Sequence, residues 1–188
     1  MARGLSSAVK TELATGNIDP VLLVEIGFST PVYLTNASFD ITSSVSGSSR
    51  TYASNGYFRG ITGISETNKP SKNSLSLSLS GVEQTYIAVA LNENIINKEV
   101  YIYRGFLDTN QALIADPFLL FFGTIDEFRI KDTTTKASLV LNITSHWGNF
   151  SKTSGRTTTD NSQKRFFSGD KGMEFSALTV RDIRWGRE

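Results

Sequence analysis

At 188 residues the chain is long enough for one medium domain with a sizeable core, and 39% hydrophobic against 20% charged residues excludes wholesale disorder. Nineteen Lys and Arg face eighteen Asp and Glu, so a net charge of +1 provides no global field to gather nucleic acid or an anionic membrane. With no cysteine and one histidine, disulfides, thiol nucleophiles, iron–sulfur clusters and metal sites rich in Cys or His are out. No apolar run approaches 18 residues and the first residues lack a signal peptide's apolar stretch, so the expectation is a soluble protein made in the cytoplasm, without membrane insertion and without a cofactor.

Residues 2–15 carry the helix signal. Leu5, Val9 and Leu13 fall on one face, Gly16 and Asn17 supply a stop, and Pro20 follows. So short a helix is marginal alone, and its apolar face must dock on its own domain or on a neighbouring subunit. From Val21 the pattern turns to β. Residues 21–28 and 32–34, broken at Ser29-Thr30-Pro31, read as a hairpin. Residues 43–49, nearly all Ser and Gly, read as a flexible loop or a wide hairpin tip, and Asn55-Gly56 suits a turn that needs positive φ. Leu75, Leu77 and Leu79 alternate with serines in the cleanest strand of the chain.

Residues 82–92 read as a second helix with Tyr86, Val89 and Ala90 inward. Residues 98–107 alternate Val100, Ile102 and Arg104 against Tyr101, Tyr103 and Gly105. Residues 118–131 form a long β segment, expected to be interrupted or bent at Gly123. Strict alternation sets Ile125, Glu127 and Arg129 on one side and Asp126, Phe128 and Ile130 on the other. After a polar turn, residues 137–144 return with Leu139, Leu141 and Ile143 on one side.

Beyond His146-Trp147-Gly148 the composition shifts to Ser, Thr, Gly and Arg dotted with aromatics. The expected organisation is therefore a mainly antiparallel β domain over residues 1–150, with an N-terminal helix and one further short helix. Residues 151–188 follow as an extended C-terminal arm with short structured pieces. Trp147, Phe150, Phe166, Phe167, Phe175 and Trp185 need burial that this polar stretch cannot provide. Either the arm folds back over its own sheet or it docks on another surface.

Positive signs of catalysis are lacking. His146 has no acid or nucleophile assigned to it and reads as a structural residue. Asp126 and Glu127 are neighbours on a strand and point to opposite faces, so they do not form a glycosidase pair. Residues 169–172, Gly-Asp-Lys-Gly, lack phosphate-loop spacing and read as a turn with its glycines at positive φ. The basic residues after Arg156 are interspersed with acids, which fits protein contacts as well as single-stranded nucleic acid.

A string of blocks resembles the phage tail-tip or baseplate hub family, the phage conserved tail proteins with relatives in gene transfer agents. They are the residue 5–14 helix followed by Val21-Leu22-Leu23-Val24-Glu25-Ile26, Thr51-Tyr52 followed by Arg59-Gly60-Ile61-Thr62-Gly63-Ile64-Ser65-Glu66, and the most telling, residues 98–108 continued by Leu113-Ile114-Ala115-Asp116-Pro117 and Phe122-Gly123-Thr124-Ile125-Asp126. Arg156-Thr157, residues 160–163, residues 167–172 and Phe175 complete it. The resemblance implies a non-enzymatic virion protein on a tail-tube-like β-barrel or sandwich, closing the tail tube and joining it to tip or spike. It further implies a ring of its own copies, trimeric by preference or hexameric, beside tube, distal tail and tip proteins, with DNA only as passing cargo. Some relatives hold a cysteine-ligated cluster, which this chain cannot; a smaller distal tail ring adaptor is the alternative within the family. A receptor- or carbohydrate-binding β domain and a tail-associated wall hydrolase are the readings outside it. The residues expected at interfaces between subunits are Leu5, Val9 and Leu13 for the helix and Phe166, Phe167, Phe175 and Trp185 for the arm.

Overall fold

A computed structural model describes residues 5–16, 18–63, 71–80, 84–115, 117–132, 137–151, 155 and 157–176. The elements run α1 (Ser7–Thr15), β1 (Asp19–Ile26), β2 (Val32–Thr35), β3 (Ile41–Ser43), β4 (Arg50–Tyr52), β5 (Phe58–Thr62), β6 (Ser74–Ser80), α2 (Gln84–Asn92), β7 (Glu99–Leu107), β8 (Phe118–Asp132), β9 (Ala137–Thr144) and α3 (Asp160–Phe166). Contacts divide the chain into two units, Met1–Phe150 and Ser151–Glu188.

The first unit is a seven-stranded sheet in the order β2-β1-β7-β8-β9-β6-β5, antiparallel at every pairing, with β3 and β4 as a second small sheet. The large sheet curls until it nearly closes into a barrel. Ala53, just past β4, exchanges backbone hydrogen bonds of 3.1 Å with Tyr33 and Thr35 on the outermost strand, β2. The mainly β expectation with an N-terminal helix holds.

Why these strands curl is legible in their inner faces. Leu75, Leu77 and Leu79 of β6 face the interior together with Leu139, Leu141 and Ile143 of β9, Val100 and Ile102 of β7, and Val24 and Ile26 of β1. Apolar faces on every strand leave water together only when the sheet wraps around itself. Helix α2 closes this core with Tyr86 and Ala90 buried and Val89 packed against them, as its spacing predicts.

Strand β8 departs from simple alternation. Its first half pairs with β7 and its second with β9, so it forms the corner of the barrel. Two register shifts, one opposite Ile102/Tyr103 and one between Ile125 and Glu127, each insert an extra residue, Leu120 and Asp126. A bulge reverses the parity of everything beyond it. Ile125 therefore shares the interior with Phe128 and Ile130, while Glu127 and Arg129 lie outside and pair at 2.9 Å. This corrects the grouping of Ile125 with Glu127 and Arg129. Gly123 is required by close approach, since a Cβ there would stand 2.5 Å from the Thr144 carbonyl oxygen and 2.9 Å from Ile143 Cγ2.

Strand β1 is buried on both faces. Val24 and Ile26 look into the barrel; Val21 and Leu23 look outward into a second cluster with Ile41, Val45, Tyr52, Tyr103 and Leu107. The small β3–β4 sheet covers that outer face. Its tip, residues 44–49, is a short 3-10 turn that buries Val45, so the Ser/Gly stretch is a hairpin tip. Gly56 has φ +72°, as the Asn-Gly pair implies.

In the second unit, Thr159 caps α3 by accepting from the Ser162 N–H, and Lys164 pairs with Asp160 at 2.8 Å. This helix is one of the arm's short structured pieces. The turn at 169–172 is closed by the Asp170 carboxylate, which accepts from the Gly172 N–H at 2.8 Å and from Gln163 at 2.5 Å. Neither glycine there is among those with positive φ, so the aspartate makes this turn. The Gly172 amide first, then Gln163, hold the Asp170 carboxyl below its ordinary pKa.

Candidate assembly surfaces

Of the helix residues expected at an interface, Leu5, Val9 and Leu13, Val9 is buried within its own chain. Ser6 caps the helix, accepting from the Val9 N–H at 3.3 Å, and Gly16 ends it at φ +82°. With Leu5, Val9 lines a pocket whose other walls include Phe106 of β7 and Phe118 of β8. Leu5 and Leu13 are half-buried, so part of the apolar face stays accessible.

Of the arm's anchors, Phe166, Phe167 and Phe175 are 62%, 57% and 71% exposed, and α3 has no buried residue. Trp185 lies outside the described residues. Trp147, after β9, is half-exposed. The aromatic side chains of residues 160–176 are thus more exposed than buried, the condition in which large apolar groups gain from a partner surface.

Two features of the barrel's outer wall escaped the sequence reading. The first is a clamp under the small sheet. Glu25, in the apolar run of β1, is buried; the Tyr52 hydroxyl donates to its Oε1 at 2.5 Å, and Arg50 donates to its Oε2. Arg50 also lies over the Tyr33 ring at 5.2 Å, and Tyr33 meets Tyr52 edge-on at 5.8 Å. Burial, then donation to Glu25, pushes the Tyr52 phenol well above its ordinary pKa. The hydrogen bond to Glu25 likewise raises Arg50. A lone acid inside Val-Leu-Leu-Val-Glu-Ile and the Arg50-x-Tyr52 spacing on one strand face are the signals that announce it.

The second is an aromatic band on β7 and β8. Tyr101 packs on Phe122 at 4.7 Å and lies parallel to Tyr103 at 6.3 Å, with Leu119 half-exposed beside them on the same outer face. Tyr101 donates to Glu99 at 2.9 Å.

The carboxylates that could suggest chemistry are engaged locally. Asp126 accepts from Thr144 at 3.3 Å and pairs with Lys72 at 3.5 Å; Glu127 accepts from Arg129 and from Asn142 at 3.0 Å. These donors, Arg129 first, hold the Glu127 carboxyl below its ordinary pKa. His146 is exposed at the start of a 3-10 turn. Among the described residues no group of three or more His, Asp or Glu could hold a metal ion, and no helix is long and apolar enough to cross a membrane.

The class that fold and surfaces define is a nearly closed antiparallel barrel with exposed aromatics. No family model and no curated protein matches the sequence. Among solved structures, a chain in the virion of a native gene transfer agent particle is similar to it, with a TM-score of 0.57 at 11% identity over 82% of this chain and 49% of that one. That likeness is one of fold, and the chain spans about half the length of this structural relative.

Proposed function

We propose that the chain is a structural protein of a phage-type virion. In this reading it is a tail component of the hub or tail-tip class, without catalytic activity, that assembles into a ring with its own copies and with neighbouring tail proteins. The observation that carries the reading is the shared fold, over four-fifths of this chain, with a chain of a gene transfer agent virion. The barrel supports it physically. A sheet nearly closed on itself is stiff and leaves few strand edges, while aromatics stand outside on the wall and on the residue 160–176 segment. A ring of three copies is favoured over six, facing tube, distal tail and tip or spike proteins; DNA passes as cargo.

The test is electron cryo-microscopy of particles from cells that produce the chain, with native mass spectrometry of the purified protein. A ring of this chain near the end of the tail is the expected result. Particles that lack the chain, a chain that stays monomeric in them, or turnover of cell-wall material by the purified protein overturns the proposal.

A further inference from the structure

Arg104 sits near the end of β7, directly opposite Phe118 of β8. Its Nε is buried and has no hydrogen-bond partner. Beside it opens a pocket of about 230 Å³ walled by Leu5 and Ser6 just before the first helix, Val9 within it, Phe106, Ala115 and Phe118. A buried charged donor left unpaired is costly, and native structures rarely keep one without a use. Apart from Ser6, whose hydroxyl oxygen already accepts from the Val9 N–H, the side chains around it are apolar, and none of them bonds Nε.

We propose that this pocket receives a carboxylate side chain, flanked by apolar residues, from a neighbouring protein subunit. The guanidinium offers a planar fork that a carboxylate matches with two parallel bonds. The apolar walls suit the methylenes and neighbours of a Glu or Asp in a greasy segment. A phosphate would match them poorly, since beyond Arg104 and the Ser6 hydroxyl its remaining oxygens would face Leu5, Val9 and Phe118. Part of this wall is the helix face that the chain covers incompletely, so an incoming subunit would bury Leu5 in the same step. That the donor is a subunit rests on the assembly reading above; that the pocket takes an apolar-flanked carboxylate rests on Arg104 and its walls alone.

The test uses the full chain, ¹⁵N-labelled, with the Arg104 Nε–H resonance as reporter. The probes are N-acetyl-Phe-Glu-amide, N-acetyl-Phe-Gln-amide and inorganic phosphate. The Glu peptide is expected to move the resonance downfield in a saturable way, with the Gln peptide and phosphate at least tenfold weaker. Arg104→Lys, which keeps the charge and loses the fork, is expected to weaken the response of the Val9 and Gly105 amides to the Glu peptide at least tenfold. Equal response to Glu and Gln peptides, a stronger response to phosphate, or no response overturns the proposal. So does a resonance already downfield in the free protein that Asp116→Asn returns to its ordinary position, since the carboxylate would then be the chain's own. Because these measurements need no particle, a negative result leaves the virion reading standing, and a chain missing from particles leaves the pocket's carboxylate preference standing.

Discussion

Replacing Glu25 with Ala removes the acceptor that ties the β3–β4 sheet to the outer face of β1. Tyr52 is fully buried and its hydroxyl would lose its partner, which costs about 1–3 kcal/mol. The Arg50 side chain is 28% exposed, so solvent screens its pair with Glu25 and the loss there is about 1 kcal/mol. The sum is about 3 kcal/mol, or a fall of about 6–12 °C in Tm for a domain of this size. Tyr52→Phe alone should cost about 1 kcal/mol, because it removes the donor and leaves an acceptor that Arg50 still serves. The double variant should cost less than the sum of the single ones by about 1–2 kcal/mol, the coupling of groups in direct contact. Urea unfolding followed by circular dichroism on the four proteins closes the cycle. Strictly additive losses, or a Glu25→Ala cost under about 0.5 kcal/mol, the range of ordinary surface changes, would refute the clamp.

The same cluster predicts a pH dependence. Tyr52 has a raised pKa in the folded chain, so its contribution is fully present below the unfolded value of about 10 and is lost as pH climbs from there through the folded value. The urea midpoint of the parent should fall between pH 9 and pH 11, and Tyr52→Phe should flatten that fall. Gly123→Ala should destabilise the barrel by about 1–3 kcal/mol, as overpacking does, because the new methyl meets the fixed Thr144 carbonyl; an unchanged urea midpoint would contradict the close approach. Leu77→Ala should cost about 2–5 kcal/mol, being fully buried between β5 and β9, when measured by the same unfolding. Phe175→Ala should change stability by less than about 0.5 kcal/mol yet reduce ring assembly in native mass spectrometry, since its side chain is 71% exposed; equal loss of both would assign it a core role.

The strands that the sequence announces best are those with one wet face. Leu75-x-Leu77-x-Leu79 and Leu139-x-Leu141-x-Ile143 alternate without interruption, and all six leucine and isoleucine side chains lie inside. Strand β8 was harder, because a bulge is a property of pairing. Nothing in Ile125-Asp126-Glu127 itself says that Asp126 will be skipped by β9, so strict alternation put Ile125 on the wrong side. The second cluster was hidden for a related reason. Val21, Leu23 and Tyr103 are buried by a short sheet whose strands have three residues each, too few for a period to register. The surface candidates divide likewise: Val9 is buried, Phe166, Phe167 and Phe175 are more than half exposed, Glu25 is marked only as a lone acid in an apolar run, and Arg104 stands out only once β7 and β8 are paired.

The pairing of the two faces of β1 explains how the barrel can be rigid and still offer surfaces for assembly. Its inner residues complete the main core, and its outer residues are sealed by the small sheet and locked by Glu25, so β1 and β2 are held in place from both sides. Ala53 reaches β2 from the end of that same small sheet, so the clamp also fixes the seam where the barrel nearly closes. Strand β8, by contrast, carries an extra residue at each of its two bulges and has Leu119, Phe122, Glu127 and Arg129 on its outer side. Loosening the clamp should therefore open the seam at β2 first, while hydrogen exchange across β6, β8 and β9 stays slow. If those three strands exchange as fast as β2 in Glu25→Ala, the seam and the core are one cooperative unit and the division drawn between them fails.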